Sequence, residues 1–319
     1  MLVIGENVMA EKQILPVVII DFLSAERTML FIQDFINASP NCELRFIIVD
    51  NADNMENQKI LIKNMSLCDI SDFEEAKVFC NIEKNIYVVI PGGNLGFARG
   101  NNVGFLLAKK LYNPQLVLFS NNDIRFPCDF RMEMLIQVIK ERNDAGVVGP
   151  KVVGLDGKQQ SPCREMSLYQ RWWKKMLLWP LDRIIDKIFK IKIISNDLLE
   201  QCESGEVYRV IGAFMLCDAY KFEKAGKFDE KTFLYAEELI LSERMKKKGY
   251  KTYYESGATI IHEGGFTTKK NYIPLRKLKQ RLESELYYYK EYKKVKPIYI
   301  KMTKVLFSFY SWKISILKK

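Results

Sequence analysis

Residues 116–123 read LVLFSNND: four apolar residues and a serine run straight into Asn121, Asn122 and Asp123. A short unbroken run with β-branched and aromatic members reads as a strand buried on both faces. The same texture recurs on either side. Pro16–Ile20 is such a run, Leu44–Val49 ends at Asp50-Asn51, and Ile86–Ile90 ends at Pro91-Gly92-Gly93. Between these runs, Glu26–Asn37, Phe97–Leu111 and Phe130–Arg142 carry helical spacing. Strands alternating with helices predict parallel pairing with both faces covered, hence a doubly wound α/β sheet. Polar residues gather just past the carboxyl ends of the runs, which is where open α/β sheets bind ligands. Further on, Gly146–Val153 and Val207–Cys217 have strand texture, Phe222–Ala225 precedes a stop at Gly226, and Glu238–Lys248 predicts a helix ended by Gly249. Thr252–Tyr254 and Thr259–Ile261 read as closing strands.

The chain has 319 residues, 48% of them hydrophobic, which is ample for a sizeable core. Seven cysteines are scattered without a CxxC pair, which argues against a thiolate zinc site or a disulfide frame and for a reducing compartment. The opening MLVIGENVMAEKQ lacks a basic leader and a long apolar run, so no signal peptide is expected there. Val305–Leu317 is too short to span a bilayer. The net charge of +10 is uneven: residues 265–319 hold 15 Lys/Arg and 3 Asp/Glu, a balance of +12, which leaves −2 for residues 1–264. The basic character therefore belongs to the tail. Residues 164–194 and 269–319 share a mixture of Trp, Tyr, Phe, Leu and Ile with Lys and Arg. Such a mixture fits helices in a membrane interface, or aromatic faces packed on the domain core or a partner subunit.

Five polar clusters carry candidate chemistry. At Asp50-Asn51 a carboxylate can accept hydrogen bonds from a base or ribose, although the pair also suits an ordinary turn. Residues 92–102, GGNLGFARGNN, let backbone approach a ligand and offer Arg99 to phosphate, without the spacing of a Walker loop or a dinucleotide fingerprint. Asp123, beside Asn122, can hold a hard cation such as Mg2+ or Mn2+. Glu237 and Glu238 open a helix, where the dipole favours acids and where a carboxylate can also act as a general base. His262, the only histidine, follows an apolar strand, a placement that suits a metal or diphosphate contact. Each cluster alone also has a purely structural reading.

In this order, the clusters resemble the family 2 glycosyltransferases of GT-A fold, nearest the rhamnosyltransferase-like branch of polysaccharide assembly. The carrying segments are IIVDNAD (47–53), GGNLGFARGNN (92–102), FSNNDIRF (119–126), residues 211–251 and ATIIHEGG (258–265). The resemblance implies a Rossmann-like, mostly parallel central sheet with flanking helices over residues 1–265, including a basic aromatic insertion at 164–200 on the acceptor side. A basic aromatic helical region, residues 266–319, follows for membrane or partner association. It implies Asp50, Asn51, Asn94, Arg99 and Asn122 along the nucleotide, Asp123 and His262 at a Mg2+ or Mn2+ ion, and Glu238 as the base, with Glu237 as the alternative. Three departures stand out: Ile20-Asp21-Phe22-Leu23-Ser24 replaces the usual Asn-Tyr-Asn-Ser, Glu238 replaces Asp, and Ile240 stands where many relatives carry a second Asp.

The activity so implied is inverting transfer of a hexose or rhamnose from a dTDP- or UDP-sugar to a glycan or lipid-linked glycan. It would take place on the cytoplasmic face of an anionic membrane, with homo-oligomers allowed and no nucleic acid involved. A nucleotidyltransferase would usually need a glycine-rich loop after the first strand, and Asp21–Arg27 has no glycine. A non-catalytic sugar-nucleotide-binding or partner-binding relative stays open. A nucleic-acid binder is disfavoured by the slightly acidic body.

Overall fold

The computed structural model describes residues 14–52, 54–178, 197–264 and 275–316. Asp53, Gly265, Leu317, the opening thirteen residues and the parts of the basic aromatic stretches at 179–196 and 265–274 lie outside them.

A twelve-stranded mixed sheet forms the frame. Its parallel centre is β1 (Ile14–Asp21), β2 (Glu43–Asp50), β5 (Ile86–Ile90) and β6 (Leu116–Ser120). On one side β5 meets the antiparallel hairpin of β3 (Cys68–Phe73) and β4 (Ala76–Asn81). On the other side β11 (Phe214–Asp218) pairs antiparallel with both β6 and β8 (Ala145–Gly154). Next, β12 (Lys251–His262) runs parallel to β8, with short β10 (Gly205–Val207) beyond it. Two small strands lie off this path: β7 (Ile124–Arg125) on β12 and β9 (Gln159–Ser161) on β8. Parallel pairing is thus confined to the sheet centre and the β8–β12 pair, and antiparallel strands complete the margins.

Both faces of the centre are buried, as unbroken apolar runs require. Along β1, Leu15, Val17 and Ile19 join one core with Phe31, Ile32 and Phe35 of α1 (Ala25–Ala38), while Val18 joins the opposite core with Phe105 of α3 (Gly96–Tyr112). Close approach of α3 depends on Gly104, where a Cβ would stand 2.4 Å from Val18 Cγ1. α2 (Met55–Met65) starts at Asn54, whose side chain accepts from the amides of Glu56 and Asn57. The remaining body helices are α4 (Met132–Glu141), a π-helical turn α5 (Tyr169–Trp173), α6 (Ala219–Lys224) and α7 (Glu237–Lys247).

The tail is packed on the body. α8 (Leu275–Glu291) and α9 (Pro297–Ile316) share one hydrophobic cluster with α5 and α7, including Trp172, Leu239, Ile240, Leu282, Leu286 and Phe307. Trp172 is 3% exposed and donates its indole N–H to Glu285, and Trp173 donates to Thr303. These two tryptophans follow the second of the two readings given for residues 164–194, aromatic faces packed on the chain's own body. They hold the tail, because an indole brings a large apolar surface together with one donor that needs a partner.

Candidate active site

The carboxyl ends of β1 and β2 place Asp21 opposite Asp50 in register, both fully buried. Asn57 of α2 donates to both, at 2.7 Å from Asp21 Oδ1 and 3.1 Å from Asp50 Oδ1. Asp21 Oδ2 also accepts from Thr28 at 2.5 Å and Ser24 at 3.2 Å. Asp50 Oδ1 takes a further bond from the Ala52 amide, while Asp50 Oδ2 is buried with no donor among the described residues. Burial, and then the nearby Asp21, push the Asp50 carboxyl above the ordinary range, against the pull of the Ala52 and Asn57 hydrogen bonds.

Asn51 staples the glycine-rich loop to β2. Its side chain accepts from the Leu95 amide at 2.8 Å and donates to the Gly96 carbonyl at 2.9 Å. Asn94 is exposed and accepts from the Gly96 amide, and Arg99 is exposed one turn into α3. Asn122 donates to Ser24 and Thr28, both at 2.7 Å, which ties the end of β6 to the Asp21 network.

Backbone pairing brings Asp123 and His262 together. Ile124 pairs with His262, and the Glu263 amide donates to the Asp123 carbonyl at 2.9 Å. His262 Nε2 lies 3.3 Å from Asp123 Oδ1, an oxygen with no aligned hydrogen-bond donor among the described residues, and His262 Nδ1 lies 2.7 Å from Gln160 Oε1. Burial alone would raise the Asp123 carboxyl, but His262 and Arg27 outweigh it and hold the group below the usual carboxylate range. Among the described residues no three His, Cys, Asp or Glu side chains converge as a metal cage.

Glu237 and Glu238 begin α7 after two non-glycine residues in the left-handed region, Tyr235 at φ +74° and Ala236 at φ +70°. Such backbone costs about 1–3 kcal/mol per residue and clusters at functional sites. Glu238 accepts from the Gly212 amide at 3.1 Å and is half-buried. Glu237 is 4% exposed, and its Oε1 has no partner among the described residues. One cavity of about 450 Å3 is lined by Glu237, Glu238, His262 and Asn121, together with Arg171, Arg209 and Arg281. Asn57, Asp21 and these arginines escaped the sequence reading; for Asp21 the available signal was an acid ending an apolar run.

No protein-family model matches the chain. It is 22% identical over 210 residues to the low-salt glycan biosynthesis hexosyltransferase Agl10 of Haloferax volcanii, covering 63% of this chain and 61% of that protein. It is 23% identical over 197 residues to the N-acetylglucosaminyl-diphospho-decaprenol L-rhamnosyltransferase of Mycobacterium tuberculosis, covering 59% and 62%. The chain thus spans about three fifths of the length of the curated relatives it matches. Among solved structures it resembles the mannosyltransferase PcManGT of Pyrobaculum calidifontis in complex with GDP-Man and Mn2+, with TM-score 0.54, 11% identity and coverage of 90% of this chain and 66% of that one. It also resembles GalNAc-T7 with UDP, GalNAc and Mn2+, with TM-score 0.53, 13% identity and coverage of 96% and 57%. The fold is GT-A, a mixed central sheet with flanking helices.

Proposed function

We propose that the chain is a glycosyltransferase that moves a sugar from a nucleoside-diphosphate donor to a hydroxyl of a lipid-linked glycan precursor. Its localisation on this reading is peripheral, on the cytoplasmic face of a membrane. The observation that carries the reading is the single cavity shared by His262, which contacts Asp123, and by Glu238 at the start of α7. The GT-A fold and the relatives' names support it.

Asp50 Oδ2, buried without a donor among the described residues, suits an N–H or O–H of the base or ribose. Asn51 holds the 92–96 loop so that Asn94 and Arg99 lie along the nucleotide, and Asn122 fixes the residue before Asp123. Asp123 and His262 fit a Mg2+ or Mn2+ ion. His262 Nε2 lies 3.3 Å from Asp123 Oδ1, a buried oxygen with no aligned donor among the described residues, and Gln160 orients the ring through Nδ1, so these two side chains would hold the cation. The bound cation would supply charge neutralisation at the donor diphosphate. Glu238 takes the proton of the acceptor hydroxyl as its oxygen bonds the anomeric carbon and the bond to the nucleoside diphosphate breaks. One displacement inverts the anomeric configuration.

Thermal shift with UDP-, dTDP- and GDP-sugars, each with and without Mn2+ or Mg2+, tests the donor site. One nucleotide class should stabilise the wild type only with metal and fail with Asp123→Ala. Glu238→Gln should keep that shift while turnover falls by about 10²–10⁴-fold, the usual worth of a general base. A folded protein that answers to no donor, or a product that retains configuration, would overturn the scheme.

A further inference from the structure

Three arginines in the cavity wall have no part in the scheme above: Arg171 of α5, Arg209 ahead of β11 and Arg281 of α8. Their nearest acids are Asp197 and Glu285. Arg171 is fully committed, with Nη1 at 2.7 Å from Asp197 and with Nε and Nη2 on Glu285 at 2.8–3.2 Å. Arg209 pairs with Asp197, yet its Nε is buried with no partner among the described residues. Arg281 gives Nε to Glu285 at 2.9 Å, which leaves both terminal nitrogens unused among those residues, on a side chain 36% exposed. One turn past Arg171, Lys175 has neither an ion pair nor a hydrogen bond among the described residues. Burial, and then the charges of Arg281 and Arg171, hold its ammonium below the usual lysine range.

Among the described residues, three arginines thus share two carboxylates and Lys175 pairs with neither, with Glu238 the next acid near Arg209. Burial and mutual repulsion oppose such a gathering unless an anion completes it. The unused donors are guanidinium groups, whose planar forks match phosphate oxygens. Arg281 also sits on α8, which together with α5 carries α9: Trp172 of α5 packs edge-on against Phe307 of α9, with ring centroids 6.0 Å apart. α9 presents an exposed apolar face, with Met302, Val305, Phe309 and Trp312 all uncovered.

We infer that Arg281, Arg209 and Lys175 form an anion subsite for the diphosphate of an amphiphilic acceptor, distinct from the donor diphosphate at Asp123 and His262. It holds the acceptor between α9, where the apolar tail lies, and Glu238, where the sugar hydroxyl reacts. The inference rests on the transferase reading.

Calorimetry on the full chain in EDTA, with farnesyl diphosphate, farnesol and inorganic pyrophosphate as probes, tests it. Farnesyl diphosphate should bind the wild type, and pyrophosphate should compete with it. Lys175→Gln and Arg281→Gln should each weaken it by about tenfold, the worth of one charge-assisted contact. Both variants should keep wild-type affinity for UDP with Mn2+, and Lys175→Gln should melt no lower than the wild type because it removes an opposed charge. Asp123→Ala should do the reverse, losing UDP–Mn2+ and keeping farnesyl diphosphate. The subsite is overturned if farnesyl diphosphate fails to bind or binds both variants unchanged, or if farnesol binds as tightly. It is equally overturned if Asp123→Ala abolishes the binding, or if phosphatidylglycerol vesicles displace the probe through the same residues. Failure of every sugar nucleotide to bind is a separate result, and it strikes the transferase reading.

Discussion

At the scale of single residues, Glu237 and Glu238 differ by environment. Burial first, and the charge of Glu238 second, push the Glu237 carboxyl well above the ordinary range, to about 8, which favours its protonated form at neutral pH. This direction is consistent with base duty at Glu238 in the proposed reaction. The raised value also links to stability. The folded state binds a proton that the unfolded state releases near 4.5, so this group's contribution is complete at low pH and is lost as pH rises from about 4.5 toward 8. Glu237→Gln keeps the shape and the neutral form. Relative to wild type, its melting temperature should match at pH 5 and stand higher at pH 8. A constant difference across that range, read by calorimetry, would remove the protonated Glu237. The places of Asp50, Asp123, Glu238 and His262 at strand ends and a helix start were legible in the sequence, because the apolar runs and the helical period mark those boundaries. Asn57 was not, since its role exists only once α2 carries its amide to Asp21 and Asp50, and the charge of Arg209 gives no hint that it is buried.

At the scale of elements, the apolar runs and glycines were informative and the polar segments were not. α2 and the β3–β4 hairpin went unplaced because MENQKILIKNM and CDISDF mix polar and apolar residues without a clear period. Val207–Cys217 read as one strand, whereas β10 and β11 are separate and the amide of Gly212, in the gap, is donated to Glu238. The two closing strands are one, β12, with a register irregularity between Glu255 and Thr259. Gly96 shows what the loop sequence encodes. It has φ +73°, a Cβ there would stand 2.2 Å from the Phe233 carbonyl oxygen, and the next amide, Phe97, donates to that same oxygen. Gly96→Ala should cost about 2–4 kcal/mol in urea unfolding, from left-handed strain plus a backbone clash. Gly93→Ala, with open space around its Cβ, should stay within about 0.5 kcal/mol. Equal effects at the two positions would show that the loop adjusts freely and that its glycines serve nothing local.

At the scale of the whole molecule, the charge imbalance and the tail packing combine into one surface. Glu285, 1% exposed, accepts from Arg171, Arg281 and Trp172. Burial alone would raise its carboxyl, but the two arginines hold it down at about 2, so α8 stays locked to α5 through neutral pH. That lock settles which face of α9 is inside. Thr303, Phe307 and Tyr310 are buried, while Ile298, Met302, Val305, Phe309 and Trp312, three or four residues apart, stand 43–62% exposed as a single stripe. Lys301, Lys304 and Lys313 are exposed beside it. No described helix is long and apolar enough to cross a membrane, so this stripe fits the plane of an interface. We propose that α9 docks the protein on anionic lipid, with Phe309 and Trp312 inserted and the lysines at the headgroups. Burying one such aromatic is worth about 1.5–3 kcal/mol, and each lysine near an anionic surface adds about 1 kcal/mol. Phe309→Glu with Trp312→Glu should therefore lower partitioning onto phosphatidylglycerol vesicles by well over about tenfold, without lowering the melting temperature, since neither side chain joins the core. Raised salt should weaken wild-type binding only in part, because the apolar share is not screened. Wild-type protein that fails to sediment with those vesicles at physiological ionic strength would leave the stripe for a protein partner and sever the proposed acceptor path from the membrane.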